Sequence, residues 1–246
     1  MRIGIIGASG RVGTRLIETI LANPGLELAA ALVSPGSPLI GRPVAGAIEY
    51  RPADKTIRSH CDVMIDFSTP AASLAFQDLL GTQSTPVVIG TTGFTTQHEE
   101  MLSRYAENRP MLVSANFAYG FEAFKLAALG FARQMPGAEA QVGETYHARK
   151  KAEPSGTSRM LAGEIAAMRS LSMGFAAPET PVVVNREGDT VGINEVRFNL
   201  GSGEAAFTFT VHTLSAYAEG AIAAAQWLVN RAPPPGRYSL ADSLNR

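Results

Sequence analysis

The sequence predicts an α/β protein of two lobes, a parallel sheet first and an α+β segment after it. Three observations predict this. A β-branched run at residues 3–6 breaks directly into Gly7-Ala8-Ser9-Gly10-Arg11-Val12-Gly13 and a helical pattern. Strand-like and helix-like segments then alternate as far as residue 114. Past Gly120 that alternation gives way to two helices and a run of successive strands, the last of which alternates cleanly.

The elements follow in order. Val12, Leu16, Ile17, Ile20 and Leu21 recur at helical spacing until Asn23-Pro24-Gly25 stops the helix. Residues 26–33 read as a second buried strand. Strand, glycine turn, helix and strand in such a short span form a βαβ unit, which requires a parallel sheet. Residues 61–66 read as a strand, 70–80 as a helix, and 86–89 as a strand ending at Gly90-Thr91-Thr92-Gly93. A helix over 96–108 and a strand over 111–114 complete the lobe. Most of these strands end in small or polar residues, where an open parallel sheet places its ligand crevice.

In the second lobe, Phe121, Phe124, Ala128, Phe131 and Met135 step by three and four until Pro136-Gly137. A strand over 141–146 leads to a polar loop with Arg149, Lys150 and Lys151, and Pro154-Ser155-Gly156-Thr157 opens a helix to about residue 168. Residues 182–184, 193–200 and 206–211 read as strands of a separate, largely antiparallel sheet, the last with one wet face. An alanine-rich helix over 215–230 ends at Pro233-Pro234-Pro235-Gly236, before a short tail.

Composition bounds the function. Of 246 residues, 46% are hydrophobic and 17% charged, so the chain is globular. A net charge of −1 gives no general attraction for polyanions and argues against nucleic acid as a partner. No apolar run approaches the roughly 18–20 residues that cross a bilayer, and the N-terminus lacks a signal peptide's apolar region. Cys61 is the only cysteine, so there is no disulfide framework, and no ligand spacing supports a metal. A soluble, cytoplasmic protein acting on a small molecule is expected.

Three segments carry chemistry. Gly7, Gly10 and Gly13 permit a tight turn and close approach of a pyrophosphate, while Ala8, Ser9, Arg11 and Val12 complete a turn whose helix amides face the phosphates. This is the expected dinucleotide site; a plain strand–helix turn is the alternative, and Arg11 reads equally as a phosphate ligand or an exposed helix residue. After the second strand the chain reads Val33-Ser34-Pro35-Gly36-Ser37, with no acid to hold a ribose 2′-hydroxyl. That tilts the cofactor to NADPH over NADH, with Ser34, Ser37 and Arg11 as phosphate donors. Gly90, Thr91 and Thr92, and Ser114, Asn116 and Phe117, follow strands whose ends should face a nicotinamide; the Asn116 segment reads equally as a hinge.

The densest chemistry runs from Glu144 to Thr157. Ser155, Gly156 and Thr157 at a helix start would bind a carboxylate, with His147 and Lys150 just ahead. A ring-nitrogen substrate would receive a proton there as hydride arrives from the first lobe. The alternative is a helix cap preceded by a solvated basic loop. His60, His98 and His212 read as structural.

Taken in order, the glycine turn, Asp66-Phe67-Ser68-Thr69-Pro70, Gly90-Thr91-Thr92-Gly93-Phe94, Ala115-Asn116-Phe117 and Lys150 with Pro154-Ser155-Gly156-Thr157 resemble the dihydrodipicolinate reductase family of bacterial lysine biosynthesis, over nearly the whole chain. The resemblance implies a Rossmann-like dinucleotide-binding domain over 1–117 plus 215–246, to which Phe67 also contributes. It implies a substrate-binding and oligomerisation domain over 118–214, a homotetramer, and NAD(P)H as hydride donor to a cyclic unsaturated dicarboxylate that becomes tetrahydrodipicolinate. Lys150 falls on the family lysine, His147 on its second histidine, and Tyr146 on the first, the usual proton donor. Tyr146 and Lys150 are thus the expected catalytic residues.

The chain also departs from the family pattern. Ala152-Glu153 replaces Asp-Ala, Val33 stands for the acid, Leu214 falls near a basic residue, and a stretch of strand between Leu200 and Gly203 is missing. A tyrosine, with an ordinary pKa of about 10, is a weaker acid than histidine unless Lys150 or Arg149 lowers it. A paralogue that reduces another imine or forms amines from carbonyls remains an alternative, as does a nucleotide-sensing protein that binds cofactor without turnover.

Overall fold

The computed structural model describes residues 1–54 and 60–244. The chain divides into two compact units, Met1–Ala118 with Leu214–Arg246, and Tyr119–Thr213.

The first unit is an eight-stranded sheet. Its elements in chain order are β1 (Arg2–Ile6), α1 (Arg11–Leu21), β2 (Glu27–Leu32), β3 (Pro43–Ala45), β4 (Ile48–Arg51), β5 (Val63–Asp66), α2 (Pro70–Leu80), β6 (Val87–Ile89), α3 (Thr96–Ala106) and β7 (Pro110–Val113). After the second unit come α6 (Ser215–Arg231), β12 (Gly236–Tyr238) and α7 (Leu240–Leu244). The strand order is β12-β7-β6-β5-β1-β2-β4-β3. Every pair is parallel except the β3–β4 hairpin. This is the expected Rossmann-like architecture.

Two apolar layers cover the sheet. Leu16, Ile17 and Ile20 of α1 and Ala218, Ala221, Ala225 and Leu228 of α6 bury one face. Leu74, Phe76 and Leu80 of α2 and Leu102 of α3 bury the other. The alanines of α6 let that helix lie close to the strands. The short tail does more than its composition predicts: β12 adds a parallel edge strand to β7, and Tyr238 packs edge-on against Trp227 at 5.5 Å. The β3–β4 hairpin also went unread, since its strands are only three and four residues long around Gly46, which sits at φ +55°.

The second unit holds α4 (Phe121–Gln134), β8 (Glu139–Tyr146), α5 (Gly156–Met173), β9 (Val182–Arg186), β10 (Gly192–Asn199) and β11 (Glu204–Val211), with sheet order β11-β10-β8-β9. As expected the sheet is largely antiparallel. The exception is β8–β9, because α5 carries the chain back across the sheet between them. Val142, Val196 and Phe198 point inward with Ala128, Ala132, Leu161 and Ile165, while alternate residues of β10 and β11 stay open to water. α5 runs past residue 168 because nothing in Arg-Ser-Leu-Ser-Met breaks a helix before Gly174, which caps it at φ +76°.

Phe198 is fully buried between the rings of Phe131 at 4.8 Å and Phe207 at 6.2 Å. Phe198→Ala is expected to cost roughly 3–5 kcal/mol. Leu171→Ala, at a side chain 78% exposed, should stay within about 0.5 kcal/mol. Urea unfolding of the two variants measures both.

Candidate active site

Parallel pairing lines up the strand ends of the first unit. Arg51, Leu32, Ile6, Asp66, Ile89 and Val113 lie level across six neighbouring strands. Gly7, Val33, Phe67, Gly90 and Ser114 each come one residue later, so they form a single crest. Most of the residues expected to hold a dinucleotide sit on this crest or just beyond it.

Glycine is obligatory in that crest. Gly7 has φ +79°, and a Cβ there would stand 2.3 Å from the Phe67 carbonyl oxygen. A Cβ on Gly13 would stand 2.2 Å from the Gly7 carbonyl oxygen, and one on Gly90 2.3 Å from the Phe67 ring. The amides of Gly7 and Ala8 both donate to the Leu32 carbonyl, at 3.1 and 3.0 Å, and Gly10 donates back to Gly7 at 2.9 Å. The turn is therefore flat and tied down, and Gly10 has no side-chain cap on α1. The first-turn amides of α1 have no intrahelical acceptors by helix geometry and carry the positive end of the dipole. Ser9, Arg11, Ser34 and Thr92 are exposed and Val12 is half-buried.

Asp66 fastens two of the loops together. Its Oδ1 accepts from the Ser68 amide at 3.0 Å and from the Thr91 hydroxyl at 3.0 Å, while the Thr91 hydroxyl accepts from the Ser68 amide at 2.9 Å. Burial pushes the Asp66 carboxyl above its ordinary range, against the hydrogen bonds from Ser68 and Thr91. Phe67 packs edge-on against Phe117 at 5.7 Å. Asn116 is 2% exposed. Its Oδ1 accepts from the Ala118 amide at 2.8 Å, but its Nδ2 has no partner among the described residues. A cradle open only to glycine and a buried amide donor left over suit a dinucleotide with a carboxamide head.

In the second unit the expected residues gather around Glu144. This carboxylate is buried, and Oε2 accepts from the Ser155 amide at 2.9 Å and from the Ser158 hydroxyl. Its Oε1 accepts from Arg186 at 2.8 Å. Burial works against the charge, but bonds from Ser155, Ser158 and Arg186 outweigh it and hold the carboxyl below the ordinary range. Ser155 caps α5 by accepting from the Ser158 amide at 3.2 Å, so Gly156 and Thr157 open the helix. The same guanidinium of Arg186 also donates to the carbonyls of Lys151 at 2.6 Å and Glu153 at 2.9 Å, clamping the loop ahead of the helix.

Tyr146 is 6% exposed, and its hydroxyl donates to Asn194 Oδ1 at 3.4 Å. The Lys150 ammonium lies 3.2 Å above the centre of its ring. Arg149 instead pairs with Asp189 at the surface, at 3.0 Å. The phenol pKa is raised, not lowered: burial outweighs its contacts with Ser155, Asn194 and Thr157. His147 turns the loop, its carbonyl accepting from the Lys150 amide at 3.0 Å. Leu214 precedes α6 in the first unit and makes no side-chain cap. His98 is a capping residue, accepting from the Thr95 amide at 3.3 Å.

Sequence reading missed Arg186, Asn194 and Arg51. Arg186 lies two residues past the apolar run at 182–184, and only its pairing with Tyr146 across β8–β9 shows that the strand continues. Arg51 comes level with Leu32 through the β2–β4 pairing, and its carbonyl accepts from the Val33 amide at 3.0 Å. Among the described residues no cluster of histidine, cysteine and carboxylate could hold a metal, and no helix is long and apolar enough to cross a membrane.

Fold and geometry suit the class of nicotinamide-dependent oxidoreductases, with a Rossmann-like unit and a separate small sheet unit. Residues 1–117 match the family model for the N-terminus of dihydrodipicolinate reductase, and residues 120–244 that for its C-terminus. The chain belongs to the dihydrodipicolinate reductase family, the NAD(P)H-dependent oxidoreductases of lysine and diaminopimelate biosynthesis. A 4-hydroxy-tetrahydrodipicolinate reductase of Psychrobacter arcticus is 32% identical, over 99% of this chain and 95% of that protein. One from Ralstonia nicotianae is 33% identical over 99% of both. In fold, the chain is similar to a dipicolinate-bound dihydrodipicolinate reductase from Paenisporosarcina sp. TG-14, with a TM-score of 0.77 at 21% identity over 97% of both chains. A myo-inositol dehydrogenase from Corynebacterium glutamicum follows at 0.60 and 14%, over 96% of this chain and 90% of that one.

Arg186→Met strands the buried Glu144 carboxylate and is expected to cost roughly 3–5 kcal/mol, read by chemical denaturation. Because the folded Glu144 pKa is depressed, its stabilisation is present above the unfolded value of about 4.3 and is lost as pH falls through the lower folded value. Glu144→Gln should flatten that acid limb of the stability–pH curve.

Proposed function

We propose that the chain reduces a cyclic unsaturated imine dicarboxylate to tetrahydrodipicolinate, with the proton supplied from the loop that Arg186 clamps. The observation that carries this reading is the placement of Lys150 on the same short loop that leads into the α5 start. The first-turn amides of α5 at Gly156 and Thr157, set in place by the Ser155 cap, bind a substrate carboxylate. Lys150 delivers a proton to the substrate atom that gains electrons, and His147 and Tyr146 shape its surroundings.

Residues 1–117 with 215–246 form the dinucleotide-binding part in this reading, and 118–214 the substrate and oligomerisation part. Gly7, Ala8, Ser9, Gly10, Arg11 and Val12 hold the pyrophosphate. Phe67, Gly90, Thr91, Thr92, Ser114, Asn116 and Phe117 orient the nicotinamide end. Bound there, the reduced nicotinamide supplies a hydride. NADPH is the preferred donor: no acid follows β2 to repel a 2′-phosphate, Ser34 is exposed beside it, and the sheet register sets Arg51 level with that strand end. The family resemblance supports a homotetramer in the cytoplasm.

Coupled turnover with freshly generated aldolase product, followed by loss of NADPH absorbance, tests the reaction. A rate of about 1–10³ per second is expected, with Lys150→Ala roughly 10²–10⁴-fold slower. Tight cofactor binding without turnover would move the function to another imine. Fluorescence titration should show NADPH bound more tightly than NADH, and Arg51→Ala should narrow that gap by about tenfold.

A further inference from the structure

We propose that Tyr146 serves this loop through its ring, as the platform that holds Lys150, while its hydroxyl is a structural group that ties β8 to Asn194 and the start of α5. The proposal rests on the reading of Lys150 as proton donor and assigns the neighbouring tyrosine a different task from the one its place in the motif suggests.

Two contacts separate ring from hydroxyl. The hydroxyl points inward, donating to Asn194 Oδ1 at 3.4 Å, and Asn194 Nδ2 continues to the Ser158 hydroxyl, also at 3.4 Å. Ser158 in turn donates to Glu144, so the phenol ends a buried chain that ties β8 and β10 to the start of α5. The ring face is what Lys150 meets, at 3.2 Å from Nζ to the centroid. An ammonium over an aromatic face is attracted by the ring quadrupole, an interaction that needs the ring and not the hydroxyl. Arg186 stands 5.9 Å from the same centroid and pins the carbonyls of Lys151 and Glu153, the residues that follow Lys150. Backbone clamp and ring platform together fix where the Lys150 ammonium lies. Burial that raises the phenol pKa adds to the cost of using that hydroxyl as an acid.

Tyr146→Phe keeps the ring and removes the hydroxyl; Tyr146→Met fills similar space without a ring, and Tyr146→Leu stands in for it if the methionine variant folds poorly. The first readout is the rate at which a water-soluble acetylating ester modifies Lys150 on the cofactor-free chain, followed by mass spectrometry with Lys151 as the internal reference. The second is kcat and KM with the aldolase product. Loss of the ring should raise Lys150 modification at least tenfold and lower kcat at least tenfold, and the phenylalanine variant should restore most of both. Lys150 modification in the methionine or leucine variant at the wild-type rate overturns the proposal. So does a phenylalanine variant that loses kcat a hundredfold with Lys150 modification unmoved, since the hydroxyl would then carry the chemistry. If the wild-type chain turns over no aldolase product, the functional reading fails, and the modification rates still decide whether the ring holds Lys150.

Discussion

Parallel pairing is the constraint on which the first unit depends. Strands that run the same way must end at the same edge, so the register that sets Ile6 level with Asp66, Ile89 and Val113 also sets the loops after them side by side. That edge is crowded with backbone. The crossing is possible because Gly7, Gly13 and Gly90 lack the carbon that would strike the Phe67 carbonyl, the Gly7 carbonyl and the Phe67 ring. Asp66 then holds the β5 and β6 loops to one another with a single carboxylate oxygen. Loop residues scattered over more than a hundred positions become neighbours through strand register.

The second unit relies on a charge rather than a register. Glu144 is buried among the alternating residues of β8, where an unpaired carboxylate would be costly. Arg186, the Ser155 amide and the Ser158 hydroxyl satisfy it, and each of those contacts also fixes part of the loop or the start of α5. A buried ion pair is seldom a net source of stability against an apolar substitute of the same shape. What this pair contributes is position: the donors that quiet Glu144 are the groups that set where Lys150 and Gly156 stand.

Much of this was legible from local pattern. The glycine turn after β1, the strand–helix alternation and the cap at Ser155 depend on neighbours within a few residues, and they read directly. β12 did not, because Gly236-Arg237-Tyr238 has no strand pattern of its own and is a strand only through β7. Arg186 and Asn194 were invisible for a related reason. They come 42 and 50 residues after Glu144, as the numbering shows, on strands whose pairing to β8 the chain does not spell out.

Tyr146 marks the limit between the two kinds of information. Its residue type and place in the motif suggested a proton donor, and nothing in the sequence says whether ring or hydroxyl faces the lysine. The sequence by itself determined the two-lobed architecture, the glycine cradle and the residue set of the basic loop, since these follow from backbone freedom, periodicity and side-chain chemistry. Only the tertiary structure decided that Arg186 clamps the loop, that Arg51 stands beside the end of β2, and that the Tyr146 hydroxyl turns inward. Those outcomes depend on strand register and burial, which arise when distant segments pack together and belong to no segment alone.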